Sequence, residues 1–360
     1  MTANFTRRRD LFLDAGFPDP DGILVAITAE VQRLAPPSDW SAVGSALRQA
    51  VAGRLARVPA AQLRLARLAP EWLGERSGDL ATALWLARSE HGEALDVGGF
   101  LLAIFAALLD APGRERDAIA FARFIFDLHY DWDRVYADPG LAYEFLRERE
   151  PNPLVWRLLS ELRGRGERLS VLELGCGIGN DAFGLLESGL VDAYTGIDVS
   201  QEALQVFAAR AERLGIAPRP ALLRGDFLNV LERPPPELAG VNVVYSYSSL
   251  HYFNSRELAR IYELVRELLS RPGARRGTFA FGIKGAGSIW EGQGLPVYRP
   301  DVWVNWDGQS RWFPSREALQ RQLDRAGYEF FFHELHDHWS YSERGKRDVF
   351  HYVLAAPRMA

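Results

Sequence analysis

The 360-residue sequence holds a single cysteine, Cys176, and only two methionines. A lone cysteine excludes an intrachain disulfide and any cysteine-based metal cluster. Lysine is confined to Lys284 and Lys346, so arginine supplies nearly all the positive charge. With 42 basic against 47 acidic residues, the formal net charge is −5. That balance gives no general attraction to nucleic acid or to an anionic membrane. Long apolar runs are also missing. The longest, Val97 to Leu109, is broken by Gly98 and Gly99 and is too short to span a bilayer. No basic-then-apolar leader opens the sequence, so the expectation is a soluble cytoplasmic protein with neither membrane nor nucleic-acid partner.

What is present is ordinary globular composition, 48% hydrophobic and 25% charged, in a chain long enough for two domains. Residues 1–118 read as helical throughout. From Ser38 onward Trp40, Val43, Leu47, Val51, Leu55 and Val58 recur at three and four, one face of an amphipathic helix. Further helices are expected at 21–34, 60–73, 78–90, 100–109 and 114–128. This all-helical N-terminal domain carries no catalytic constellation, and its expected use is oligomerisation, leaving a homodimer open, or walling a pocket. Ala111-Pro112-Gly113 punctuates its end.

From 119 to 360 the pattern alternates. Candidate strands at 169–174, 193–198, 220–224, 241–247, 277–283, 328–334 and 349–355 are mostly separated by helices, which predicts an α/β doubly wound parallel sheet. The last strand follows no helix, so it is expected as an antiparallel hairpin partner. An insertion at 289–313 is dense in aromatic residues.

The most informative stretch is Ser170 to Ser200. A buried-strand run, Val171 to Leu174, breaks into Gly175-Cys176-Gly177-Ile178-Gly179 before a helical segment. Glycines there let the backbone turn sharply and approach a ligand closely, and the helix behind offers unpaired N–H groups. A second strand ends in Asp198, about 20 residues on, where an acid can hold ribose hydroxyls. This predicts a nucleoside-cofactor site. The dinucleotide template fits poorly, because its sixth position is Asn180 and Glu173 inside the strand would repel phosphate while suiting an ammonium group.

Four segments, Glu173 to Gly179, Gly196 to Ser200, Arg224 to Phe227 and Tyr245 to Phe253, stand in the order and spacing of a known family. Through them the chain resembles the class I S-adenosylmethionine-dependent methyltransferases, from about residue 120 to its end. The resemblance implies a Rossmann-like seven-stranded sheet with the last strand antiparallel, and S-adenosylmethionine as cofactor. It implies that Glu173 and the backbone of Gly175, Cys176, Gly177 and Gly179 hold the methionine end. Asp198 takes the ribose, Val199 packs on adenine, Asp226 accepts from the adenine amino group, and the Phe227 N–H reaches a ring nitrogen. Ser246 and Tyr247 line the methionine moiety, although relatives often carry Asn or Asp where Tyr247 stands.

On the acceptor side, His251 is the sharpest candidate for a general base, with an ordinary pKa near 6.5. Relatives place a Tyr-Asp-rich helix ahead of the first strand, which makes Tyr130, Asp131 and Tyr136 candidate lid residues. Tyr252, Trp290, Tyr298, Arg299, Trp303, Trp306 and Arg311 are candidate acceptor contacts, the last six as an aromatic cap in the insertion. His333, His336 and His338 invite a metal reading, but only His336 and His338 share a strand face and no ligand set completes them, so no metal is expected. The expected activity is methyl transfer to oxygen or nitrogen of a small molecule such as a natural-product intermediate. Other readings are a peptide or protein methyltransferase gripping its substrate with the helical extension, a non-catalytic nucleoside-binding scaffold, and a nicotinamide-linked oxidoreductase.

Overall fold

The computed structural model describes residues 48–49, 51–53, 55–73, 80–114, 117–118, 121, 132–137, 146–216, 218–253, 255–271, 277–292, 295–298, 302–304, 310–339 and 347–358. The helix expected at 21–34, and most of those expected at 38–58 and 114–128, lie outside these residues. By compactness the chain divides into two units, Met1–Tyr130 with Trp290–Trp312, and Asp131–Ile289 with Phe313–Ala360.

The first unit contains helices α1 (Ala60–Arg67), α2 (Leu80–His91) and α3 (Val97–Asp110). Helix α3 starts three residues earlier than the apolar pattern suggested, because Asp96 caps it by accepting from Gly99 N at 3.0 Å. A side chain at Gly99 would press on Val58, a Cβ there standing 2.7 Å from its methyl, which is why the helix tolerates glycine at its first turn. The aromatic insertion belongs to this unit and is more regular than its Pro- and Gly-rich sequence suggests.

In the second unit the sheet grows from runs that are apolar on both faces, as buried parallel strands require. In chain order the strands are β1 (Leu169–Leu174), β2 (Val191–Asp198), β3 (Ala221–Arg224), β4 (Val243–Tyr247) and β5 (Thr278–Lys284). After β5 the chain returns to the first unit for β6 (Leu295–Tyr298), β7 (Val302–Val304) and β8 (Ser310–Trp312), which form a separate three-stranded antiparallel sheet in the insertion. Finally come β9 (Tyr328–Trp339) and β10 (Arg347–Pro357). The main sheet has seven strands in the order β3-β2-β1-β4-β5-β10-β9, and β10 runs antiparallel to both β5 and β9. The expected hairpin is therefore present, with its second strand inserted against β5.

Crossover helices pack on this sheet through stripes at helical spacing. Helix α5 (Pro153–Arg163) follows the short helix α4 (Trp132–Ala137). Asn152 caps α5 by accepting from Leu154 N, and Leu154, Val155, Leu158, Leu159 and Leu162 are all buried. Each such side chain contributes about 1.5–3 kcal/mol of burial before entropy is counted. Helices α6 (Asn180–Glu187), α7 (Gln201–Arg213), α8 (Phe227–Glu232), α9 (Ser255–Leu269) and α10 (Arg316–Arg325) complete the unit. The order reverses between β1 and β4, so a crevice opens beyond the carboxyl ends of those two strands.

Candidate cofactor and active site

The loop after β1 is held in place by its neighbour strand. Gly175 N and Cys176 N both donate to Ile197 O, at 2.8 and 3.0 Å. Gly175, Gly177 and Gly179 all sit at positive φ, a region L side chains enter at a cost. Space is short as well. A Cβ at Gly175 would overlap Ser249 Oγ, and one at Gly177 would stand 2.9 Å from the Tyr136 hydroxyl. The β1 loop thus touches the turn after β4 on one side and helix α4 on the other.

Asp198 ends β2 inside this loop. Its Oδ2 accepts from Gly177 N at 2.8 Å and its Oδ1 from Ser200 N at 2.9 Å. Its backbone carbonyl accepts from Gly225 N at 2.8 Å, which brings the Gly225-Asp226 turn alongside. Burial pushes the Asp198 carboxyl up, while the N–H groups of Ser200, Gly177 and Val199 hold it down. Val199 next to it is 42% exposed, an apolar side chain available to a flat ligand. Asp226 caps α8, accepting from Leu228 N at 2.9 Å, and Phe227 packs on Phe253 with ring centroids 4.8 Å apart.

Glu173 is buried behind the loop, where it accepts from Tyr194 Oη at 2.6 Å. Burial first, and then the charge of Asp181, push its carboxyl well above the usual range. Asp181 was not singled out by the sequence reading. It accepts from Tyr245 Oη and from Asn152 N, both at 2.8 Å, and pairs with Arg149 at 3.6 Å. Cys176 packs beside Gly196, and burial followed by Asp198 and Glu173 pushes its thiol well up, so it is a neutral filler and no nucleophile.

At the end of β4, Ser246 is buried with Oγ on Leu174 O at 2.9 Å. Tyr247 stacks on Phe350, centroids 5.2 Å apart, and lies edge-on to Tyr352. Ser248 follows at φ 58°, and it is the only non-glycine at positive φ among the described residues. Such strain marks a turn over-determined by its surroundings. His251 is fully buried, its ring 4.4 Å from that of Tyr252. Tyr252 in turn meets the edge of Trp132 at 5.6 Å, and Trp132 lies 6.3 Å from Tyr136. Burial, then Asp198, Cys176 and Tyr252, push the Tyr136 phenol well up, so it stays a neutral donor.

Of the remaining candidates, Tyr130, Asp131, Arg299 and Trp306 lie outside the described residues. Tyr298 is on β6. Trp303 faces Arg311 across the β7–β8 pair, and buried Arg311 holds its guanidinium 6.0 Å from the Trp290 ring, all within the first unit. His333 pairs with His351 at 3.1 Å, and His336 stacks on Tyr352. No cluster of three or more metal-ligating groups occurs among the described residues.

Residues 171–273 match the family model described as "Methyltransferase domain". The release factor glutamine methyltransferase of Bacillus subtilis (strain 168) is 32% identical over 120 residues, which cover 32% of this chain and 39% of that protein. A tRNA N(3)-cytidine methyltransferase of Mus musculus is 27% identical over 213 residues, covering 55% of this chain and 69% of that one. The chain thus spans well under two thirds of the first relative. Among solved structures, the Burkholderia thailandensis 1,6-didemethyltoxoflavin-N1-methyltransferase, with 1,6-didemethyltoxoflavin and S-adenosylhomocysteine bound, aligns at 18% identity. Its TM-score is 0.44, with 65% of this chain and 85% of that chain covered. The methyltransferase-domain match over residues 171–273 accords with the resemblance of the four sequence segments to S-adenosylmethionine-dependent methyltransferases.

Proposed function

We propose that this protein transfers the methyl group of S-adenosylmethionine to an oxygen or nitrogen of a small, flat molecule. The residues fit the cofactor: three glycines admit close backbone approach, and Asp198 keeps lone pairs for ribose hydroxyls after taking two backbone N–H groups. Glu173, Gly175, Cys176, Gly177 and Gly179 would hold the methionine end, Asp198 the ribose, and Val199, Asp226 and Phe227 the adenine. When bound, the cofactor supplies an activated methyl on a good leaving group.

The chain's own task is then to orient an acceptor lone pair and exclude water, an effect that supplies on the order of 7–11 kcal/mol in well-aligned cases. The observation that supports a small aromatic or apolar acceptor is the run of rings Tyr136, Trp132, Tyr252 and His251 beside the glycine loop. His251 is our candidate base for a hydroxyl or protonated amine, a role typically worth about 10²–10⁴ in rate. The names of the two curated relatives raise a protein or a tRNA acceptor as the competing reading. For tRNA, the net charge of −5 is unfavourable.

The test has two parts. Calorimetry with S-adenosylhomocysteine should show one-to-one binding, and labelled methyl should then pass to members of a panel of phenols and heteroaromatic amines. Transfer to peptides or tRNA with none to the panel would replace the small-molecule reading. His251→Asn should lower turnover by 10²-fold or more at unchanged S-adenosylhomocysteine affinity, and wild-type turnover in that variant would remove the base.

A further inference from the structure

Helix α4 spans six residues, Trp132–Ala137, too few to be stable alone in water. Something must therefore hold it where its side chains do their work. Trp132 and Tyr136, four apart, share one face. Trp132 reaches Tyr252, and the Tyr136 hydroxyl lies over Gly177. Between them in sequence, Asp133 turns to the opposite task.

Both carboxylate oxygens of Asp133 are engaged with the second unit's adenosine-end turn. Oδ1 accepts from Ser200 Oγ at 2.8 Å and from Glu202 N at 3.2 Å, and Oδ2 accepts from Arg224 Nη2 at 3.0 Å. The same Arg224 donates through Nε to Val199 O at 3.4 Å. Ser200 links this set to the cofactor acid, because its N–H goes to Asp198 and its Oγ also accepts from Ala203 N. One carboxylate thus ties α4 to the start of α7, to the end of β3 and, through Ser200, to Asp198. A plain surface ion pair would contribute little. This one combines a guanidinium, a hydroxyl and a backbone N–H on one anion, and charge-assisted bonds of that kind are about twice as strong as neutral ones.

We infer that Asp133 is a positioning residue for the cofactor. It latches α4 so that Tyr136 stays over the glycine loop, and it couples the order of that helix to the turn that carries Asp198 and Val199. The inference deepens the S-adenosylmethionine reading and rests on it. Nothing in the local sequence marks Asp133 above its neighbours, since its partners lie 67 to 91 residues away.

The test is calorimetry with S-adenosylhomocysteine, alongside amide hydrogen exchange of residues 132–137 in the ligand-free protein. Asp133→Ala should weaken binding about 10- to 100-fold and speed exchange across the helix. Asp133→Asn, which keeps an acceptor for Ser200 but not the charge for Arg224, should fall between. In a Tyr136→Ala background, Asp133→Ala should cost clearly less affinity than it does alone, because only its hold on the Ser200 turn then remains to be lost. Arg224→Gln removes only the outer arm from an exposed side chain and serves if Asp133→Ala does not fold; it should weaken binding several-fold. Wild-type affinity in the Asp133 or Arg224 variants overturns the latch, as does full additivity with Tyr136→Ala. Faster exchange at unchanged affinity overturns it too, since the helix would be tethered to no purpose at the site. Absence of heat with the wild-type protein would instead strike at the cofactor reading.

Discussion

Gly175 has no room for a side chain on two separate counts: its φ of 75° costs an L residue about 1–2 kcal/mol, and a Cβ there would overlap Ser249. Gly175→Ala is therefore expected to lower the melting temperature and abolish S-adenosylhomocysteine binding. Adding Ser249→Gly should recover part of the melting temperature, leaving only the backbone strain. Wild-type melting and binding in the single variant would show the loop to be shaped otherwise. Glu173 makes a second prediction. Because burial and Asp181 raise its carboxyl in the fold, the native state holds a proton that the unfolded chain releases first as pH rises. Stability should fall from the usual glutamate range upward through the raised native value. Glu173→Gln, which still accepts from Tyr194, should flatten that slope in urea unfolding between pH 5 and 8 and leave the ligand-free protein more stable at pH 8. An unchanged slope would mean that Glu173 is ionised in the native state. At this scale the sequence was readable where geometry is local: the glycine turn after β1, Asp198 against that turn and buried Cys176 sit within one turn of chain or at a fixed offset from it. Asp181, Tyr194, Tyr245 and Asp133 were not readable, because each acquires its role from a partner brought near by the sheet. Asp181, in particular, looks in sequence like any acid at a helix start.

The β9–β10 hairpin shows the same division for whole elements. Its two strands follow from apolar and aromatic alternation, and its antiparallel sense from the missing crossover helix. The three strands of the insertion, β6 to β8, were hidden by prolines and glycines between aromatic residues, which read as irregular. The root of that insertion is fixed by contacts no local pattern reports. Lys284 and Ser288 both hold Asp348, Gly285 N donates to Val349 O, and Ala286 N donates to Pro314 O, the last two at 2.9 Å. His351 Nε2 reaches the same Pro314 carbonyl at 2.9 Å, and a carbonyl can only accept, so that nitrogen carries the proton. Its Nδ1 must then accept from His333 Nε2 at 3.1 Å, which keeps His351 neutral. Burial pushes both rings down, His333 to about 4, with the His351 and Arg316 side chains adding to the effect on His333 and Glu317 opposing it. The unfolded chain takes up protons near pH 6.5, so stability should be intact above that value and decline as pH falls toward 4. In a melting series from pH 7 to 4, His333→Gln should reduce that decline while retaining a donor for His351. If the variant melts in parallel with wild type across the whole range, the histidine pair is not what acid disrupts.

For the molecule as a whole, charge decides between acceptors that differ in size. A polyanion such as tRNA is held by cations that neutralise phosphates, and a protein making 6–10 such contacts loses roughly 10³–10⁵ in affinity between 50 and 200 mM salt. This chain has a net charge of −5, and many of its described arginines already hold carboxylates. Arg149 pairs with Asp181, Arg210 and Arg213 with Glu148, Arg224 with Asp133, Arg157 with Glu161, and Arg358 with Asp324. Each would have to give up that partner before meeting a phosphate. Labelled tRNA at 150 mM salt should therefore show only binding weaker than about 100 μM, the loose end of the non-specific range. The nucleoside cofactor product needs no such field, since on the proposed reading glycine backbone and buried carboxylates would receive it. At a hundredfold excess over its Kd it should stabilise the fold by about 2.7 kcal/mol, read as a rise in melting temperature. The two measurements separate the readings cleanly. Submicromolar tRNA binding that falls steeply with salt would move the acceptor to nucleic acid. Weak tRNA binding together with thermal stabilisation by S-adenosylhomocysteine leaves the acceptor to be sought among small molecules and peptides.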